Sequence, residues 1–169
     1  GYKEIMLIGQ NVNSYGNDFG EKNLFAKLLR EINDIPGDFL IRFMTSHPKD
    51  CSYELLDTMA ECEKVERHIH LPFQSGNDRV LKAMNRHYDR AHYEELVRYA
   101  KKVMPDISVT SDVIVGFPGE TEEDFKASMD FVLSQQFLKV HVFPYSRREG
   151  TPAYDFADQL PEHEKEARS

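Results

Sequence analysis

The sequence predicts an α/β chain with parallel strands, and three observations carry that expectation. Short apolar runs alternate with amphipathic stretches five times along 169 residues. No hairpin signal separates any two of the apolar runs, and no linker is long enough to divide the chain. Strands separated by helices pair in parallel through right-handed crossovers. That leaves an open doubly wound sheet or part of a barrel.

The elements follow in order. Ile5-Met6-Leu7-Ile8, closed by Gly9, reads as a strand buried on both faces. Apolar residues at 24, 25, 28, 29 and 32 form a helical stripe that Pro36-Gly37 ends. Phe39 to Met44 is a second strand, and Asp50 to Cys62 a helix with Leu55, Leu56 and Met59 on one side. His68 to Leu71 is a third strand, stopped by Pro72. A long helical region from Asp78 to Met104 breaks near Asn85 to Asp89. Ile107 to Val115 is the fourth strand. Thr121-Glu122-Glu123-Asp124 has the pattern of a capping box and opens a helix running to about Gln136. Leu138 to Phe143 is the fifth strand, and the polar tail from Arg147 holds a short helix after Pro161.

Composition bounds the function. Hydrophobic residues make up 40% and aromatic residues 11%, enough for a core and against disorder. Acidic residues outnumber Lys and Arg by 29 to 21, a net charge of -8 that disfavours a chain gripping nucleic acid unaided. No apolar run approaches a membrane span, and no secretory leader is visible, so a cytoplasmic setting is expected. Cys51 and Cys62, eleven residues apart, form neither a disulfide framework nor a familiar ligand pair, and read as packing residues. His68 and His70 share a strand face and read as a packed pair.

In parallel α/β folds the site forms at the C-terminal ends of the strands. The loops there are Gly9 to Gly16, Thr45 to Pro48, Pro72 to Asn77, Gly116 to Thr121 and Pro144 to Arg148. Turns are rich in Gly, Pro and Asn for conformational reasons alone. Gln10, Gln74, Phe117 and Tyr145 are not turn formers, however, and their mixture of amides and rings suits a polar organic ligand carrying an aromatic ring. No GxxxxGK[ST], GxGxxG or GxSxG motif occurs.

These loops, with Met84-Asn85-Arg86, Asp112 to Thr121 and Gly150-Thr151-Pro152-Ala153, together resemble the radical SAM methylthiotransferases over essentially the whole chain. Gly9 to Asn13 with Thr45 to Pro48 is similar to the branch that converts N6-isopentenyladenosine beside the tRNA anticodon into its 2-methylthio derivative. His141 to Thr151 is closer to sister enzymes acting on threonylcarbamoyladenosine, and a third branch modifies a ribosomal protein. The resemblance implies a partial (βα) barrel of radical SAM type, of which this chain holds five units. It implies S-adenosylmethionine and 4Fe–4S clusters as cofactors. It also implies tRNA as partner, bound mainly by a separate TRAM domain, and an electron donor such as flavodoxin or ferredoxin.

The CxxxCxxC motif that holds the family's cluster does not occur in these residues. The chain is therefore expected to be an incomplete core, inactive by itself, with the motif upstream of Gly1. The competing reading is a ligand-binding barrel fragment without redox chemistry.

The resemblance also assigns roles. Gly9, Gln10 and Asn11 would hold the methionyl amino group, with Ser46 beside them on the cofactor. Gln74 and Ser75 would contact ribose or methionyl groups, and Arg86 the methionyl carboxylate. Val115 and Gly116 would pack against adenine, with Phe143 and Tyr145 beside it. Asn13, His47, Arg147 and Arg148 would face the substrate. Glu120 is expected to support the start of the following helix.

Overall fold

The computed structural model describes residues 1–44 and 46–169; Thr45 lies outside the described residues. Within them, strands and helices alternate in the predicted order. The chain divides into two compact units, Gly1–Pro72 with Glu94–Thr110, and Phe73–Tyr93 with Ser111–Ser169.

In the first unit Glu4–Leu7 (β1) pairs in parallel with Leu40–Phe43 (β2), placing Ile5 opposite Ile41 and Leu7 opposite Phe43. Helices Leu24–Asn33 (α1) and Tyr53–Glu61 (α2) pack together. Their apolar faces, Phe25, Ala26 and Leu29 on one and Leu55, Leu56 and Met59 on the other, are buried. Each of the Phe, Leu and Met side chains among them contributes about 1.5–3 kcal/mol when fully removed from water. Phe25 also meets Phe43 edge-on, with ring centroids 5.1 Å apart. α2 starts later than the periodicity predicts because Ser52 caps it, its hydroxyl accepting from the Leu55 N–H at 3.1 Å.

His68–His70 (β3) pairs in parallel with the start of Ser108–Val115 (β4), His68 opposite Ser108 and His70 opposite Thr110. The two imidazoles share one hydroxyl: His68 Nε2 and His70 Nδ1 lie 2.9 and 3.0 Å from Thr110 Oγ1. Burial holds the His68 imidazole below its ordinary pKa, more strongly than Glu66 raises it. The pair is thus a packed feature of the strand face.

One expectation for this unit is not met. β1 was expected to be buried on both faces, yet Met6 is 40% exposed, and Ile8, beyond the strand end, is 79% exposed. Among the described residues β1 has β2 as its one strand neighbour, so an apolar sequence run meets solvent.

The second unit is built around an aromatic cluster. Phe73 lies 5.8 Å from Tyr93, 5.2 Å from Phe131 and 5.8 Å from Phe137, the last stacked. The predicted break in the long helical region separates Asp78–Ala83 (α3) from Arg90–Val103 (α4), which runs on into the first unit's residues. Asn85 takes a left-handed φ of 57° in the break, and the carboxylates of Asp78 and Asp89 accept from the Arg90 and His92 N–H groups at 2.7 and 2.8 Å. Acidic acceptors at a helix start satisfy donors that the helix leaves open.

Glu122–Gln135 (α5) opens on a complete capping box: Thr121 Oγ1 accepts from the Asp124 N–H at 3.2 Å, and Asp124 accepts from the Thr121 N–H at 2.9 Å. Burial alone would lift the Asp124 carboxyl. The Thr121 N–H, the Arg79 guanidinium and the Thr121 hydroxyl outweigh it and hold the group below its ordinary value. Lys139–Pro144 (β5) follows beside β4, and Glu162–Arg168 (α6) ends the chain. No helix among the described residues is long and apolar enough to cross a membrane.

Candidate functional site

In the first unit the loops after β1 and β2 are stitched together by amides. Asn13 is buried, and both ends of its amide engage the His47 backbone: its nitrogen donates to the carbonyl at 3.2 Å, and its oxygen accepts from the N–H at 3.0 Å. Asn11 Nδ2 donates to Asp50 Oδ2 at 2.6 Å. His47 Nδ1 accepts from the Lys49 N–H at 3.2 Å, capping the 3-10 turn Pro48–Asp50. The structure therefore brings Asn11, Asn13, Ser46 and His47 together, with Asn13 as the tie between the loops. Gly9 and Gln10 are exposed beside them.

Two oxygens on these loops, Asn11 Oδ1 and Ser46 Oγ, are buried without a hydrogen-bonding partner among the described residues. Buried polar atoms are almost always satisfied, because an unmade hydrogen bond costs about 1–3 kcal/mol. The Asn11 amide is aligned by Asp50 at its nitrogen end, which leaves its oxygen as an acceptor for an N–H donor. That chemistry fits an ammonium group.

In the second unit Gln74 sits at φ 70°, a left-handed conformation uncommon for a side chain other than Gly, Asn or Asp. It is held there by a parallel bridge to β4: its N–H donates to the Asp112 carbonyl and its carbonyl accepts from the Ile114 N–H, both at 2.9 Å. Backbone strain of this kind concentrates at ligand sites. Ser75 is buried; its hydroxyl lies 3.3 Å from Ser128 Oγ and accepts from the Asn77 N–H at 3.3 Å, so it serves the loop itself.

Gly116 and Gly119 both have positive φ, 71° and 76°. The turn they shape places the buried Phe117 ring edge-on to Tyr145 at 5.2 Å, and the Tyr145 N–H donates to the Val115 carbonyl at 2.8 Å. The Tyr145 hydroxyl is buried without a partner among the described residues. Phe143 is 51% exposed on β5. Arg86, half-buried between α3 and α4, lies near Tyr88, whose phenol burial pushes up to about 12 against the opposing influence of that guanidinium. Arg147 donates through Nε to the Tyr154 carbonyl at 2.7 Å and covers the Tyr154 ring at 4.2 Å, so it braces its own loop, while Arg148 is exposed.

Sequence reasoning missed the surroundings of Glu120. Thr121 and Asp124 cap α5, whereas the buried Glu120 carboxylate turns back to accept from the Gly116 N–H at 2.8 Å and pairs with Arg168 at 2.7 Å. Burial is the largest influence on that carboxyl and raises its pKa, while the Gly116 N–H and Arg168 oppose it.

The described residues contain no group of three His, Cys, Asp or Glu able to hold a metal ion. Cys51 and Cys62 are buried and free, and burial pushes the Cys51 thiol up to about 12, far from the thiolate a metal requires. These residues do not fit an iron–sulfur cluster; in the first unit the orphaned Asn11 acceptor fits an amine, and in the second the Gly116 turn beside Phe117 and Tyr145 fits a ring.

The sequence pattern of the radical SAM superfamily matches residues 1–132, and the chain belongs to that superfamily. Its likeness to solved radical SAM folds agrees. Coproporphyrinogen III oxidase from Escherichia coli aligns with a TM-score of 0.65 at 23% identity over 84% of this chain and 33% of that one. The archaeal Methanocaldococcus infernus Elp3 aligns with 0.64 at 18% identity over 94% and 42%. The fold class is accordingly α/β with parallel strands, a partial (βα) barrel of radical SAM type.

Within the superfamily the chain is similar to tRNA-2-methylthio-N(6)-dimethylallyladenosine synthases. It is 54% identical to that of Acetivibrio thermocellus over 99% of its own length and 35% of the relative's. For the synthase of Clostridium tetani the values are 52%, 99% and 37%. The chain thus spans little more than a third of the relatives it matches.

Proposed function

We propose that this chain is the core segment of a radical SAM methylthiotransferase that adds a methylthio group to C2 of N6-isopentenyladenosine beside the tRNA anticodon. The observation that carries the reading is 54% identity, over 168 residues, to a curated synthase for that modification. The cofactors are S-adenosylmethionine and iron–sulfur clusters, and the partners are tRNA and a reductant of the flavodoxin or ferredoxin type. Bound S-adenosylmethionine supplies the radical chemistry and the methyl group. The cluster ligands belong to the remainder of the parent protein.

This chain's residues bind and orient. Asn11 Oδ1 accepts from the methionyl ammonium, with Asp50 fixing the amide's orientation and Gly9, Gln10 and Ser46 adjoining it. Val115 and Gly116 pack the adenine ring, with Tyr145 and Phe143 adjacent; Gln74 serves the ribose, with Ser75 holding its loop, and Arg86 the carboxylate. Asn13, His47, Arg147 and Arg148 shape the substrate side.

The test is expression of the full-length parent in cells lacking tRNA methylthiolation, followed by mass spectrometry of tRNA nucleosides. We expect 2-methylthio-N6-isopentenyladenosine. Methylthiolated threonylcarbamoyladenosine, or unchanged tRNA with a modified ribosomal protein, would reject the assignment. In the same protein Asn11→Ala should weaken S-adenosylmethionine about 10- to 100-fold, the worth of a hydrogen bond to a charged group. An unchanged dissociation constant would remove Asn11 from the site.

A further inference from the structure

Within the second unit the end of the chain returns to the turn between β4 and α5 and fastens it at several points. Arg168 Nη1 donates to the Glu120 carboxylate at 2.7 Å and to the Glu120 carbonyl at 3.2 Å. The same carboxylate oxygen accepts from the Gly116 N–H at 2.8 Å. The Asp158 carbonyl accepts from the Gly119 N–H at 2.8 Å, and Arg79 donates to the Gly119 carbonyl at 2.8 Å.

Sterics fasten the turn as well. A Cβ on Gly116 would lie 2.6 Å from Lys165 Cγ, so helix α6 sits directly against that backbone. The Lys165 ammonium lies 5.6 Å from the Tyr145 ring centre, and the Arg168 guanidinium 5.4 Å from that of Phe125. The Glu120 side chain is 1% exposed and that of Arg168 10%. Neither is a solvated surface charge, and a guanidinium nitrogen that holds both the side chain and the main chain of one residue fixes geometry as well as charge.

We propose that Arg168 is a positioning residue for cofactor binding: through Glu120 it fixes the Gly116 N–H and with it the Val115–Gly116 turn that receives adenine. The inference rests on the reading that this turn takes the adenine ring. Arg168 itself touches no cofactor; it acts through a carboxylate that would otherwise be buried without its charge partner. α6 then becomes part of the cofactor site's framework, although nothing in its polar sequence marks it as such.

The test uses the full-length enzyme with its clusters, and titration calorimetry with two probes, S-adenosylhomocysteine and methionine. Arg168→Ala should weaken S-adenosylhomocysteine at least 10-fold and leave methionine within about twofold, because the defect lies at the adenine end. In turnover the KM for S-adenosylmethionine should rise more than kcat falls. Arg168→Lys should restore part of the affinity, since an ammonium can pair with the carboxylate but lacks the planar, delocalised head and its second terminal nitrogen. Should Arg168→Ala not fold, Glu120→Gln keeps an oxygen for Gly116, loses the charge pair and should show a smaller loss of the same kind.

Equal weakening of both probes would reduce Arg168 to a general structural role and overturn the inference. Gly116→Ala separates the inference from its premise. Loss of adenosine-ligand affinity in Gly116→Ala with none in the Arg168 and Glu120 variants sinks the positioning role alone. Unchanged affinity in Gly116→Ala sinks the adenine assignment, and the inference with it.

Discussion

Phe73→Ala is expected to destabilise the protein by about 3–5 kcal/mol, the range for removing a large ring from a packed core. Phe73 is 1% exposed and touches three other rings, with Phe131 the nearest at 5.2 Å between centroids. Each well-oriented aromatic pair adds about 0.5–1.5 kcal/mol beyond the area it buries. Its backbone is committed too: the Phe73 N–H donates to Ser111 Oγ at 3.0 Å and its carbonyl accepts from the Tyr88 hydroxyl at 2.9 Å. Those contacts hold the chain immediately before Gln74, so the cluster that stabilises the unit also places a residue of the candidate site. Urea unfolding measures the effect, and a loss under about 1 kcal/mol would show that the rings are not the unit's principal core.

Gly76→Ala should have the second-largest effect. A Cβ there would lie 2.7 Å from Phe131 Cβ and 2.8 Å from Ser128 Cα, and the latter is backbone of α5 that cannot rotate away. Overpacking of this kind costs about 1–3 kcal/mol. For a domain of this size that corresponds to a melting temperature lower by about 2–12 °C. The Gly76 N–H donates to Ser128 Oγ at 3.0 Å, and Ser75 Oγ meets the same hydroxyl, so moving α5 would also loosen the Gln74–Ser75 turn. Calorimetric scans of wild type and variant check this; coincident transitions would mean that helix and loop tolerate a methyl group between them.

The elements were legible because their signals are local. The stripe over residues 24–32 becomes α1, Thr121 and Asp124 form both halves of a capping box, and the turn residues after each strand fall where parallel folds build sites. Non-local partners were not legible. Glu120 and Arg168 are 48 residues apart, and neither carries a pattern that points to the other. Nothing among the polar letters around Asn13 shows that its amide ties to the backbone of His47 across a different loop. Gln74 gave no hint of its φ of 70°, since the strain comes from a bridge to β4 and not from its own preference. Apolar letters likewise overstate burial in β1, where solvent access depends on neighbours that a run of residues does not specify.

Lys165 is 3% exposed, although lysine is among the side chains most often left in water. An acyl group cannot be transferred to an amine whose stem is wedged between a glycine backbone and a tyrosine ring. Acetylation of Lys165 therefore demands that α6 first move off the Gly116 turn, and the order in which the lysines of this protein acquire a covalent tag becomes a clock for that movement.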